Sequence, residues 1–247
     1  MINYEPYQKF FNVLGHNKEN ILLIHNFISD EDLKVINEYL NSKADDDEFM
    51  GGKDLRIDDV FGENPDVARL VHKYEKKIYD TAVMHFTDRM GIPIVREAVN
   101  PTHFVKWITG MNSGLHCDCE THDGKPAEAA DFYRYNVSVL AYPNDSYTGG
   151  EITFPEYGIV VKPVAGDLIM FPGNGAYKHT VEVVTSGIRY TMPSWYAFDV
   201  GNKNIRRTPG TYLDSVQLWP DNPDIDPVGI KVKDIYQPLD GDNNEKT

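Results

Sequence analysis

Cysteine is almost absent from this chain of 247 residues; the only two, Cys117 and Cys119, stand one residue apart. Neighbours at i and i+2 bridge poorly, so the chain does not read as a disulfide-stapled secreted scaffold, and a reduced, cytoplasmic setting is expected. Positive charge is also scarce: 24 Lys and Arg stand against 38 Asp and Glu, a net charge of −14. A field of that sign repels phosphate, so neither nucleic acid nor an acidic membrane surface is an expected partner. No run approaches the about 18 consecutive apolar residues of a membrane span. Residues 1–20 lack the basic-then-apolar order of a secretory leader, and neither internal repeats nor long low-complexity tracts occur.

What is present suits one globular domain over residues 1–247, since hydrophobic residues make up 41% and aromatics 12%, enough for a packed core. Residues 1–19 read as a polar lead-in, and Ile21–Ile24 as a short strand. Ser29 followed by Asp30, Glu31 and Asp32 predicts a helix start, with Leu33, Ile36 and Leu40 on its buried face. Residues 44–64 are acidic, glycine-containing and aperiodic, an ordinary loop or a lid over a site. Asn64-Pro65 then opens a long helix with Val67, Leu70, Val71, Tyr74, Ile78, Ala82, Val83 and Phe86 on one stripe, ending at Gly91.

From about residue 102 the texture changes to β. Short runs rich in β-branched and aromatic residues cover 104–108, 136–142, 151–154, 159–162, 167–171, 179–184 and 188–198, separated by turn residues such as Pro143-Asn144-Asp145, Thr148-Gly149-Gly150 and Pro172-Gly173-Asn174-Gly175. Strands at such even spacing predict a sandwich or barrel, with the preceding helices packed on one sheet. Pro193 within the last run implies an edge position or a bulge. After residue 200 the pattern fades into an extension whose end is expected to fray.

Two histidines have telling company. His116 and Asp118 stand at i and i+2, which on an extended segment point to the same side, and His179 opens a later strand. Two imidazoles and one carboxylate on one face of an ion, with the opposite positions open, form the facial triad of non-haem Fe(II) oxygenases. An H-x-D pair is common by chance, so the weight rests on what surrounds it. Arg189 lies in a largely apolar strand, where a buried guanidinium needs an acidic partner; a dicarboxylic co-substrate would supply one.

In that context the chain resembles the 2-oxoglutarate/Fe(II)-dependent dioxygenases, in their prolyl 4-hydroxylase-like branch. The resemblance runs over residues 20–199 and is carried by Ile21–Leu33, Tyr142-Pro143-Asn144, Gly149–Pro155, Pro163, Gly166-Asp167, Phe171-Pro172, His179, Val181, Gly187, Arg189-Tyr190 and Trp195-Tyr196, in order. It implies a mainly β double-stranded β-helix, a jelly-roll or cupin-like barrel with N-terminal helices. It also implies Fe(II) on His116, Asp118 and His179, with Arg189, Tyr142 and Thr191 around 2-oxoglutarate and Val181 and Trp195 as pocket walls. O₂ would be consumed, 2-oxoglutarate decarboxylated to succinate and CO₂, and a C–H bond hydroxylated. Ascorbate would serve as reductant and a proline-containing polypeptide as substrate.

Departures from the branch touch substrate rather than iron. Trp107 stands where a tyrosine is usual, and Tyr135 stands where peptide-hydroxylating relatives place an arginine. Two other readings stay open: hydroxylation of a small molecule or another side chain, and a barrel that binds ligand without catalysis. His116, Cys117, Cys119 and His122 also suggest a zinc knot, but no second Cys/His cluster accompanies them.

Overall fold

The computed structural model describes residues 2–46, 60, 62–95 and 102–201. The expected loop or lid at 44–64 falls largely outside the described residues, as does the extension beyond 201.

The segment 1–19 is not a simple lead-in, because it carries helix α1 (Glu5–Leu14). Proline in its first turn suits helix initiation, and Tyr7, Phe11 and Leu14 form its buried face. Phe10 and Phe11 pack on Phe198, with ring centroids 5.4 and 5.0 Å apart. After strand β1 (Leu22–Ile24) comes α2 (Asp30–Ser42), capped by the Ser29 hydroxyl, which accepts from the Asp32 N–H at 3.3 Å. Helix α3 (Pro65–Ala82) is capped in the same way by the Asn64 side chain and runs on through a π-helical segment, Val83–Arg89. Each cap satisfies a backbone donor that the first turn would leave unpaired.

The strands that follow are β2 (Val105–Ile108), β3 (Ser113–His116), β4 (Val137–Ala141), β5 (Tyr147–Gly149), β6 (Ile152–Phe154), β7 (Ile159–Val161), β8 (Leu168–Pro172), β9 (His179–Val181) and β10 (Val184–Tyr196). They form two antiparallel sheets. The larger has the order β1-β8-β4-β10-β2, with β5 also paired to β10; the smaller runs β3-β9-β6-β7. The result is a curled antiparallel half-barrel of double-stranded β-helix type, with the helices packed on the outside of the larger sheet. Among the described residues no helix is long and apolar enough to cross a membrane.

Register divides the larger sheet into two buried faces. Met192, Ser194 and Tyr196 of β10 lie opposite Ala141, Val139 and Val137 of β4, and these residues, Ser194 apart, join the core under the helices with Ile36, Leu40, Val67, Val71 and Ile78. The alternate residues, among them Ile169, Phe171 and Tyr142, look between the sheets and build a second core with Ile152, Phe154, Val161 and Tyr177. Each large aliphatic side chain so buried contributes about 1.5–3 kcal/mol.

Pro193 sits where β10 has a single partner. It lies opposite Leu140, while pairing with β2 stops at Thr191, so the missing N–H breaks no ladder on the second side. The Thr148-Gly149-Gly150 segment, read as a turn, is partly strand: β5 pairs with Val184–Gly187 of β10.

Candidate metal centre

β3 delivers His116 opposite His179, the first residue of β9, and their ring centroids lie 4.3 Å apart. Asp118 follows just beyond the strand, its Oδ1 3.6 Å from His116 Nε2. One donor atom from each of His116, Asp118 and His179 lies within 4.8 Å of the other two, and this is the metal-competent cluster among the described residues. His179 is buried between Phe154 and Phe171, whose rings stand 5.7 and 4.7 Å away, whereas His116 keeps 39% of its side chain exposed. The cluster is therefore backed by aromatics on one side and open on the other.

The donor set fits a divalent ion. Nδ1 of His116 lies 2.7 Å from the Gly114 carbonyl, and Nδ1 of His179 lies 3.2 Å from the Tyr177 carbonyl. A carbonyl only accepts, so each Nδ1 carries the proton and each Nε2 offers a lone pair, the arrangement typical of metal-ligating histidines. Burial, opposed by the Asp118 charge and aided by the adjacent His116, holds His179 below the usual histidine range; that lowering favours the neutral imidazole that can ligate. Asp118 is tied from two directions. Its N–H and that of Cys119 donate to the Gly173 carbonyl at 2.8 and 3.0 Å, and the Ser138 hydroxyl donates to its Oδ2. Two imidazoles and one carboxylate with an open side match a facial triad.

A second group lies on the barrel-facing side of β10. Arg189 is fully buried, and its Nη2 donates to the Tyr142 hydroxyl at 3.3 Å. Its Nε and Nη1 have no hydrogen-bond partner, and no carboxylate pairs with it among the described residues. The guanidinium lies 5.2 Å from the ring centres of both Trp107 and Tyr142. Trp107, directly opposite Arg189 on β2, donates its indole N–H to Thr191 at 3.3 Å. Burial pushes the Tyr142 hydroxyl up to about 12, so it stays a neutral donor. A buried cation with donors left over is costly by itself and calls for an anion.

Sequence reasoning passed over Tyr147. Its hydroxyl is buried beside Arg189, and burial raises its pKa against the opposing effect of the guanidinium. Tyr147 escaped notice because it precedes the two glycines read only as a turn. Gly150 has its own reason to be glycine: φ is +69°, and a Cβ there would come within 2.8 Å of Arg189 Cδ. Ser138 was also passed over, as one small polar residue in an apolar strand.

The remaining candidates separate. Val181 is buried on the His179 side of β9. Tyr135 and Trp195 stack face to face, with centroids 4.9 Å apart and planes at 18°. Phe132 continues the series at 5.1 Å from Tyr135 and is 39% exposed. Trp195 pairs in register with Ser138, which bonds Asp118, so this aromatic shelf runs from the surface to the edge of the triad. Cys117, Cys119 and His122 stay outside the cluster. Cys119 is buried against Tyr4, burial raises the Cys117 thiol to about 11, and His122 is exposed.

Residues 102–197 match the family model of the 2OG-Fe(II) oxygenase superfamily. A PKHD-type hydroxylase of Rippkaea orientalis is 31% identical over 110 residues, which cover 43% of this chain and 46% of that protein. Human prolyl 3-hydroxylase 2 is 33% identical over 77 residues, 29% of this chain and 11% of that protein. The chain thus spans less than half the length of these curated relatives. Among solved structures, a prolyl hydroxylase from Trichoplax adhaerens, in complex with a hypoxia inducible factor peptide fragment, superposes with TM-score 0.54 at 18% identity, covering 80% of this chain and 94% of that one. The viral collagen prolyl hydroxylase of Paramecium Bursaria Chlorella virus-1 gives TM-score 0.50 at 17% identity, covering 72% and 90%. The helix-backed half-barrel, the gathered His116, Asp118 and His179, and the sequence match across the same strands converge: residues 102–197 are similar to the 2OG-Fe(II) oxygenase superfamily, and the fold is similar to that of the solved prolyl hydroxylases.

Proposed function

We propose that this chain is an Fe(II)- and 2-oxoglutarate-dependent dioxygenase that hydroxylates peptidyl proline, at carbon 4, in the cytoplasm. The observation that carries the reading is the pairing of an N,N,O donor cluster with a buried, under-partnered Arg189 on the same barrel wall system. With iron and co-substrate bound, O₂ would drive decarboxylation of 2-oxoglutarate to succinate and CO₂ together with hydroxylation of the substrate C–H bond, ascorbate restoring the metal's reduced state.

The chain's own residues supply binding and orientation. His116, Asp118 and His179 would hold the ion. Arg189 would receive the distal carboxylate of 2-oxoglutarate through Nε and Nη1, the two nitrogens without partners, with the Tyr142 and Tyr147 hydroxyls as further donors. Trp107 and Thr191, already bonded to each other, would bound that pocket. Phe154, Phe171 and Val181 exclude water behind His179. The Phe132–Tyr135–Trp195 shelf presents flat aromatic faces on which proline rings can pack, and its neutrality favours an uncharged proline-containing segment over an acidic one. Residues 20–199 would form the catalytic core of a single domain.

Succinate release from 2-oxoglutarate under Fe(II), ascorbate and air, with and without proline-rich peptides, tests this directly. Peptide-stimulated succinate, with one oxygen atom gained on proline and NMR placing the hydroxyl on carbon 4, is the expected result. Succinate without peptide stimulation would shift the substrate to a small molecule or another side chain. Binding of metal and 2-oxoglutarate with no succinate would make the barrel non-catalytic.

A further inference from the structure

Ser138 is out of place by composition. It sits in β4 between Val137 and Val139, is 2% exposed, and faces the barrel between Phe171 of β8 and Trp195 of β10 in the sheet register. A hydroxyl in such surroundings must find a partner or cost stability. Its partner is the Asp118 carboxylate, through Oδ2, while Oδ1 lies 3.6 Å from His116 Nε2.

We propose that Ser138 is a positioning residue that takes Oδ2 of Asp118 out of the ligand set, so that the carboxylate offers the metal Oδ1 alone. This rests on reading His116, Asp118 and His179 as the metal site. Asp118 belongs to no strand, so its backbone alone would leave the carboxylate free to rotate about χ2. The structure removes that freedom at two points. The Gly173 carbonyl at the end of β8 receives the Asp118 and Cys119 N–H groups, and the Ser138 hydroxyl holds one carboxylate oxygen. The two points are themselves in contact. A Cβ on Gly173 would lie 2.0 Å from the Tyr135 carbonyl oxygen and 3.2 Å from Ser138 Oγ, so glycine is needed for the strands to close around Asp118.

The chemical consequence follows from counting ligands. A bidentate carboxylate would occupy one of the positions that a two-histidine, one-carboxylate centre keeps open for co-substrate and O₂. A hydroxyl donor on one oxygen disfavours that mode. Because serine is neutral, it does so without cancelling the carboxylate's charge, as an arginine or lysine would. Among the described residues the ion-pair neighbour of Asp118 is His116, itself in the cluster.

The test is anaerobic Co(II) titration of the metal-free full-length protein, followed by the Co(II) visible spectrum, with folding checked by circular dichroism. Loss of a hydrogen-bonding partner behind a ligand weakens metal binding by about 10–100-fold. Ser138→Ala is expected to fall in that range and to alter the Co(II) band intensities as the carboxylate becomes free to chelate. Ser138→Thr, which keeps the hydroxyl, is expected to retain wild-type affinity and spectrum. Wild-type affinity in Ser138→Ala, or weaker binding with an unchanged spectrum, would overturn the inference, as would a Ser138→Thr protein no better than Ser138→Ala. His179→Ala separates this failure from that of the metal site: unchanged Co(II) binding there would overturn the triad itself, whereas lost binding there with intact Ser138→Ala would overturn only the role of Ser138.

Discussion

The two faces of the larger sheet are equally dry and chemically opposite. Met192 and Arg189 belong to the same strand and both are fully buried. Met192 points under the helices into a continuous apolar core with Val139, Ala141, Leu168 and Ile78. Arg189 points between the sheets, where two of its nitrogens have no hydrogen-bond partner among the described residues. Burial therefore does not distinguish core from site in this protein; the chemistry of the buried groups does. On the helix side the buried neighbours of Met192 are apolar, while on the barrel side a desolvated cation has two nitrogens with no hydrogen-bond partner among the described residues.

That contrast can be broken or sharpened by substitution. The largest effect is expected from His179→Ala, which should abolish both iron retention and succinate release while leaving the folded far-UV spectrum, measured by metal analysis and turnover on one sample. Arg189→Met should raise the 2-oxoglutarate KM by about 30-fold or more, the loss expected when one partner of a buried charge pair is removed. The same variant should make the ligand-free protein more stable to urea, by about 1–4 kcal/mol, because an unpaired buried charge is replaced by an apolar chain of similar volume. A drop in stability would mean that Arg189 is satisfied within the chain. Met192→Ala, on the opposite face, should do the reverse, lowering stability by about 2–5 kcal/mol with the 2-oxoglutarate KM unchanged. Tyr147→Phe should have the smallest effect, raising that KM by about 10-fold, the loss of one hydrogen bond to a charged group. Its unfolding midpoint should move little, since the hydrogen-bonding neighbour of the hydroxyl among the described residues is the Arg189 guanidinium.

Much of the fold was legible because its signals are local. Ser29 and Asn64 announce α2 and α3 through side-chain caps that reach only three residues ahead. Alternation in residues 137–141 and 188–196 assigns each side chain to a face, because a strand has a period of two. Pro193 marks the place where β10 loses its second neighbour. Helix α1 was obscured because residues 1–19 are polar on average; its apolar stripe matters only once Phe10 and Phe11 meet Phe198 from the far end of the domain. β5 was obscured because Gly149 and Gly150 carry turn chemistry, and strand pairing there is imposed by β10.

By itself, then, the amino-acid order determined a helix-then-strand domain, the alternation of faces in its strands, and a short set of metal-competent and cationic side chains. Tertiary structure alone decided that His116 and His179 stand opposite each other across two strands, that no carboxylate among the described residues pairs with Arg189, and that Ser138 reaches Oδ2 of Asp118. The reason is register. A cap or an alternation depends on neighbours along the chain, whereas each of these meetings depends on which residues of distant strands are brought level, and shifting a pairing by one residue would turn every one of those side chains to the other face.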